Sequence, residues 1–336
     1  MSAAPLASGE SDDSRDAVID ELRVADRFVL ATHENPDGDA IGSLAAMQEI
    51  LTGLGKDSVI FMAADELPLP YEYRFLKLDG MLNVPPDDLD DRTIIFLDCG
   101  NIDRNPAEAL KRDGMHILNI DHHHDNTRFG TVNLVVPNAS CTAEIVWEMM
   151  RAMGIQPTLA VAEALYVALV TDTGKFMYEN TGTAAHAMAA ELIAAGVDVH
   201  EIYRKVYEDM PFGKLVLLAR GLSRVRRYDD GLLTITHLER EDFEAAGAEE
   251  SYTEGIVDHL RAVRGTAVAG LVRDLLAEDK QGIRKVSLRA TDVRVDVSRI
   301  ARARGGGGHR QAAGFTTDLE LDELVEFLRA EIAAQL

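Results

Sequence analysis

His33, Asp37 and Asp39 fall within seven residues of one another in the stretch Thr32-His33-Glu34-Asn35-Pro36-Asp37-Gly38-Asp39. An imidazole and two carboxylates are donors that hold divalent cations. Pro36 and Gly38 permit the sharp backbone path that lets such donors converge, and two aspartates that close repel each other unless a cation lies between them. A plainer reading of the stretch is a surface turn, with Asp37 and Gly38 as turn formers and Asp39 as the N-cap of the next helix. Three further segments carry the same donor types: Asp98-Cys99-Gly100-Asn101, Asp121-His122-His123-His124 and Thr171-Asp172-Thr173-Gly174. Asp98 read by itself is a turn residue at a strand end, and the histidine run read by itself is a polar loop. Asp172 closes an almost wholly apolar segment, where a carboxylate needs a metal, a helix cap or an arginine to offset its burial.

The segments before these donors explain how they could meet. Residues 27–31 form an apolar run that reads as a short buried strand, and residues 40–54 have the apolar spacing of a helix. Strands are predicted at residues 57–62, at 93–97 ending on Asp98, and at 115–120 ending on Asp121. Helices are predicted at residues 141–153 with Ser140 as N-cap, at 159–170 ending near Asp172, at 183–195 and at 199–208. Alternating strands and helices give a parallel sheet with helices on both faces, and such sheets bind ligands beyond the carboxyl ends of their strands. The three clusters that close strands would therefore share one rim.

Beyond a helix predicted at residues 211–222 the pattern changes to hairpins. One spans residues 224–238 and turns at Asp229-Asp230-Gly231; another spans 267–289 and turns near residues 279–282. A short helix at 296–303 precedes Gly305-Gly306-Gly307-Gly308-His309-Arg310, and a final helix runs over residues 321–334. Residues 284–310 hold eight Lys or Arg against two Asp, a local excess of six positive charges. The glycine run is either a linker or an anion cradle, in which the absence of side chains lets backbone N–H groups approach a phosphate.

Length and composition bound the alternatives. A chain of 336 residues accommodates two cores, and 46% hydrophobic with 27% charged residues is ordinary for a globular protein. No apolar run approaches the roughly 18 residues needed to span a bilayer. Residues 1–13 are small, polar and acidic, without the basic start and apolar centre of a secretory signal, and read as a disordered tail of a cytoplasmic protein. Cys99 and Cys141 provide neither a disulfide framework nor a CxxC pair. A formal charge of −23 argues against a broad grip on long duplex nucleic acid. A small anionic substrate remains open if metal ions and a local basic patch receive it.

Taken in order, His33-x-x-Pro36-Asp37-x-Asp39, Asp98, Asp121-His122-His123 and Asp172 resemble the four motifs of the DHH phosphoesterases. Residues 305–314 resemble the glycine-rich motif of the DHHA1 domain that accompanies them. Size and layout are similar to the nanoRNase, or NrnA-like, members, which hydrolyse short oligoribonucleotides, 3′-phosphoadenosine 5′-phosphate (pAp) and, in some bacteria, linear or cyclic dinucleotides. Actinobacterial members are associated with cyclic di-AMP breakdown.

The resemblance implies an α/β fold: a parallel-sheet DHH domain with helices on both faces at residues 14–210, a connecting helix at 211–223, and a smaller α/β DHHA1 domain with a mixed sheet at 224–336. It implies two divalent ions, by family habit Mn²⁺, one held by His33, Asp37 and Asp98 and the other by Asp39, Asp98, His122 and Asp172. Such a pair, about 3.5 to 4 Å apart, can clamp an in-line phosphoryl displacement. Asp121 would orient a neighbouring histidine, and His123 would act near the scissile phosphate as hydrogen-bond donor or general acid. Gly306, Gly307, Gly308, His309 and Arg310 would receive a substrate phosphate, with Arg104 a further contact and His124 without a role. A homodimer is implied as well.

Three other readings compete. A manganese-dependent inorganic pyrophosphatase of the related DHHA2 kind shares the metal half, but the glycine-rich run speaks against it. A RecJ-like exonuclease fits poorly with a short acidic chain. A nucleotide sensor without turnover is disfavoured because every expected ligand position carries a competent donor.

Overall fold

The structure, a computed structural model, describes residues 10–63, 67 and 69–336, with side chains from Ser14 onward. Most of the expected N-terminal tail lies outside the described residues, but helix α1 (Glu10–Val24) begins inside the range assigned to it. The chain divides into two compact units between Asp209 and Met210.

In the first unit, β1 (Arg27–Ala31), β2 (Asp57–Ile60), β3 (Thr93–Leu97), β4 (Ile117–Asp121) and β5 (Val132–Val135) form one sheet in the order β2-β1-β3-β4-β5. Every pairing in it is parallel. Parallel strands are covered on both faces, and β3 and β4 are buried throughout, in keeping with their mostly apolar sequences; Asn119 of β4 is buried with them. Alternate side chains serve the two sides. Phe28, Leu30, Ile95 and Leu97 join a core with α1 and with α2 (Gly38–Gly53), α3 (Thr142–Ala152) and α4 (Leu159–Asp172). Val29, Ala31, Ile94 and Phe96 face the other way, onto Leu89, Ile102 and Leu110 of short 3₁₀ helices. Two more helices, α5 (Thr183–Ala194) and α6 (Val199–Tyr203), complete the unit, α6 running into a π turn at Arg204–Glu208.

The strand order reverses direction between β1 and β3, since β2 lies on one side of β1 and β3 on the other. In an open parallel sheet that point leaves a crevice beyond the strand ends. His33 follows β1, Asp98 follows β3, and Asp121 with His122 closes β4, so three adjacent strands deliver their donors to one edge.

The second unit starts with α7 (Phe212–Ser223) and builds a six-stranded mixed sheet. Its strands are β6 (Arg226–Tyr228), β7 (Leu233–Leu238), β8 (Val268–Asp274), β9 (Arg284–Ala290), β10 (Gly307–Gly308) and β11 (Ala312–Thr317), in the order β10-β11-β9-β8-β7-β6. Only β7 and β8 pair in parallel; the other four pairings are antiparallel. The β7–β8 connection carries α8 (Arg240–Ala246) and α9 (Ile256–Arg261), neither expected from sequence. With α7 they cover one face of the sheet, while α10 (Val297–Arg302) and α11 (Leu321–Ala333) cover the other. Among the described residues no helix is long and apolar enough to cross a membrane.

Candidate active site

The first turn of α2 sets the geometry. Asp37, not Asp39, is the N-cap, its Oδ1 accepting the N–H groups of Asp39 (3.0 Å) and Ala40 (3.1 Å). Asp39, one residue into the helix, is buried and turned toward α3. Its Oδ2 accepts the Thr142 N–H at 2.6 Å, and its Oδ1 accepts the Ala143 N–H at 3.0 Å and the Ser43 hydroxyl at 3.2 Å. The open N–H groups of one helix start are thus satisfied by a carboxylate from another helix, a favourable placement for negative charge. This differs from the expected Ser140 cap. The cap position is Cys141, without a side-chain hydrogen bond, and Ser140 instead donates to Glu144.

Close helix packing brings in Asp172. A Cβ on Gly38 would lie 2.2 Å from Thr171 Oγ1, and one on Gly42 would lie 2.5 Å from the Ala164 carbonyl oxygen. Glycine at both places lets α2 and α4 approach until Asp172, the last residue of α4, reaches the site. Its Oδ2 accepts from Asn180 Nδ2 at 3.0 Å. Asp98, directly after β3, adopts a left-handed backbone with φ of 56°.

Around these acids stand three imidazoles. His33 Nε2 lies 3.5 Å from Asp98 Oδ2, while its Nδ1 lies 2.7 Å from the Glu34 carbonyl oxygen. His122 Nε2 lies 3.6 Å from Asp98 Oδ1, 3.7 Å from Asp172 Oδ2 and 3.8 Å from Asp39 Oδ2, with Nδ1 3.3 Å from the Ala139 carbonyl oxygen. In both rings the carbonyl takes the Nδ1 proton and Nε2 is presented to carboxylates, the arrangement of a metal-ligating histidine. His123 is held differently: its Nδ1 donates to Asp121 Oδ1 at 2.7 Å, and Asp121 Oδ2 accepts from Asn126 Nδ2 at 2.6 Å.

Donor atoms of His33, Asp37 and Asp98 lie within 4.8 Å of one another, and so do those of Asp39, His122 and Asp172. All six side chains expected to ligate metal are therefore together, in two groups, with Asp98 beside both. Their electrostatics are those of a site that wants a cation. Burial pushes the Asp39 carboxyl well above its usual range, and Asp98 adds to it. Burial lifts Asp172 to about 7 against the pull of His122. Burial would lower His122, but Asp172, Asp39 and Asp98 outweigh it and raise the imidazole to about 10. Burial likewise opposes the ionisation of Asp98, yet His33, His123 and His122 hold it well below the usual carboxylate range. The donor chemistry, the fixed tautomers and the excess of acid fit divalent cations. Cys99, by contrast, is pushed up to about 12 by burial and stays a neutral thiol.

Arg104 ends a 3₁₀ turn whose carbonyl accepts the Glu34 N–H at 2.7 Å, so it borders the first motif. His124 is exposed. The glycine-rich run in the second unit is a tight hairpin rather than an open loop: Gly307 pairs with Gly314 and Gly308 with Ala313. The Gly306 N–H donates to Ala301 and the His309 N–H to Ala312, at 3.0 and 2.7 Å. Those two amides are committed to bonds within the unit. Gly308 has φ of 129°, which favours glycine. Three polar residues that shape the site, Thr142, Asn126 and Asn180, were not anticipated from sequence; each acts through contacts that exist only after folding.

Residues 27–169 match the DHH family, N-terminal domain, and residues 243–334 match the DHHA1 domain. A bifunctional oligoribonuclease and PAP phosphatase NrnA from Thermus thermophilus is 33% identical over 309 residues, covering 91% of this chain and 89% of that protein. The chain belongs to the DHH–DHHA1 phosphoesterase family. The same NrnA name is carried by a Bacillus subtilis relative that is 24% identical, with 88% of this chain and 91% of that protein covered. An exopolyphosphatase-related protein from Bacteroides fragilis has the same fold, with a TM-score of 0.83, 23% identity and 96% of each chain covered.

Proposed function

We propose that this phosphoesterase hydrolyses short oligoribonucleotides and dinucleotides, pApA and pGpG among them, to 5′-mononucleotides, and pAp to AMP and phosphate. Cyclic di-AMP is included as a candidate substrate. The observation that carries the reading is the gathering of six metal-competent side chains from four separate segments at the switch point of a parallel sheet. The likeness to the NrnA relatives over nearly the whole chain supports the substrate class, and the DHHA1 match favours it over a DHHA2-type pyrophosphatase.

In this reading His33, Asp37 and Asp98 hold one divalent ion and Asp39, Asp98, His122 and Asp172 hold a second, with Mn²⁺ the metal. Ions there would supply Lewis acidity, neutralise charge on the phosphoryl group and lower the pKa of an attacking water. The protein's own groups do the rest. Asp121 keeps a proton on His123 Nδ1 and fixes the ring, so that His123 can donate from Nε2 to a phosphate oxygen or the leaving group. Arg310 offers a planar fork for a substrate phosphate, with His309, residues 306–308 and Arg104 as further contacts. The enzyme would work in the cytoplasm as a homodimer.

Turnover of pAp, pApA, pGpG, cyclic di-AMP, short RNA and pyrophosphate, each with Mn²⁺, tests the proposal. Release of 5′-mononucleotides from the dinucleotides is expected. Hydrolysis of pyrophosphate alone, or no turnover of any compound, would overturn it.

A further inference from the structure

We infer that Thr142 is a positioning residue for the metal centre, joining the acid of α2 to the acid that follows β3. The inference rests on the reading of Asp39 and Asp98 as ligands. Thr142 is fully buried. Its N–H donates to Asp39 Oδ2 at 2.6 Å and its hydroxyl donates to Asp98 Oδ1 at 3.0 Å. One residue thereby touches two carboxylates that are 59 positions apart in the chain.

The hydroxyl contact decides how Asp98 is presented. Asp98 Oδ2 faces His33 at 3.5 Å, while Oδ1 faces His122 and His123, each at 3.6 Å. A carboxylate that serves two cation sites through its separate oxygens must hold its plane so that each oxygen addresses one of them. Among the described contacts, the Thr142 hydroxyl is the hydrogen bond on the Oδ1 side that comes from neither histidine. The left-handed backbone of Asp98 sets the direction of its Cα–Cβ bond, and the Thr142 bond sets the rotation of the carboxylate beyond it. The backbone bond to Asp39 does not depend on the side chain, so a substitution that removes only the hydroxyl isolates the Asp98 contact.

The experiment is Mn²⁺ binding to the full chain, followed by isothermal calorimetry and equilibrium dialysis with the metal alone, in wild type, Thr142→Val, Thr142→Ser and Thr142→Ala. Loss of an outer hydrogen bond to a metal ligand costs about 10- to 100-fold in affinity. Thr142→Val and Thr142→Ala are expected to lose that much, while Thr142→Ser, which keeps the hydroxyl, stays near wild type. Should Thr142→Val fail to fold, as judged by metal-free melting, the Ser and Ala variants still differ only by the hydroxyl. Equal affinity of the Ser and Ala variants would overturn the inference and leave the ligand assignment standing. Absence of Mn²⁺ binding by the wild type would instead remove the ligand assignment itself.

Discussion

Replacing Asn126 by Ala should damage catalysis through His123, whose ring the Asn126 amide supports by way of Asp121. Its Nδ2 donates to Asp121 Oδ2 at 2.6 Å and to Asn119 Oδ1 at 2.8 Å, and its Oδ1 accepts the Arg128 N–H at 2.6 Å. Asp121 and Asn119 are fully buried. A hydrogen bond to a charged group contributes about 1.5–3 kcal/mol, and an abandoned buried acceptor costs about 1–3 kcal/mol. Asn126 itself is only half-buried, so water can enter the truncated space, and a net loss of about 2 kcal/mol in urea unfolding is the expected outcome. The kinetic effect follows from the other end of the chain of contacts. With Oδ2 released, Asp121 can rotate and His123 loses its fixed ring orientation. General acid catalysis contributes about 10²- to 10⁴-fold, so kcat for pApA should fall about 10- to 100-fold with KM little changed. A p-nitrophenyl phosphodiester, whose leaving group needs no proton, should be far less affected. Equal losses on both substrates, or unchanged stability and kcat, would refute the relay through Asp121.

Three further outcomes follow from the same geometry. Gly38→Ala drives a Cβ to 2.2 Å from Thr171 Oγ1, so melting temperature and Mn²⁺ affinity should both fall; a variant with wild-type metal binding would show that the α2–α4 contact does not set the site. In metal-free protein His122 is raised from 6.5 to about 10, so the stabilisation from its protonation is fully present below about pH 6.5 and is lost as pH rises through about 10. A divalent cation competes with that proton and with those on the raised Asp39 and Asp172 carboxyls, so calorimetry between pH 6.5 and 8.5 should show Mn²⁺ affinity rising by at least about tenfold per pH unit; a flat profile would contradict it. Arg310→Ala should raise KM while leaving metal content intact, and loss of bound metal would contradict the separation of roles between the units.

The sheet of the first unit was legible because its central strands are mostly apolar, and β3 in particular runs unbroken through Ile94 to Leu97. Parallel strands buried on both faces read as continuous apolar runs, and Ile94-Ile95-Phe96-Leu97 ends abruptly on Asp98. Val132–Val135 went unread because this edge strand is four residues long, contains Asn133 and is only partly buried. Helices α8 and α9, seven and six residues long, are too short for a periodic apolar pattern to stand out. The ligand candidates were visible because each sits in a local motif at a strand or helix end. Thr142 and Asn126 were not, since one is defined by a contact spanning 103 positions and the other by side chains that converge around a turn. The Ser140 cap failed for the same reason: the carboxylate that occupies the start of α3 comes from Asp39, which no local pattern around residue 140 discloses.

Anomalous scattering from a crystal grown with Mn²⁺ tests the central claim most directly. Two peaks are predicted, one against His33 and Asp37 and one against Asp39, His122 and Asp172, with the two oxygens of Asp98 divided between them. A single ion, or two ions of which only one touches Asp98, would contradict it.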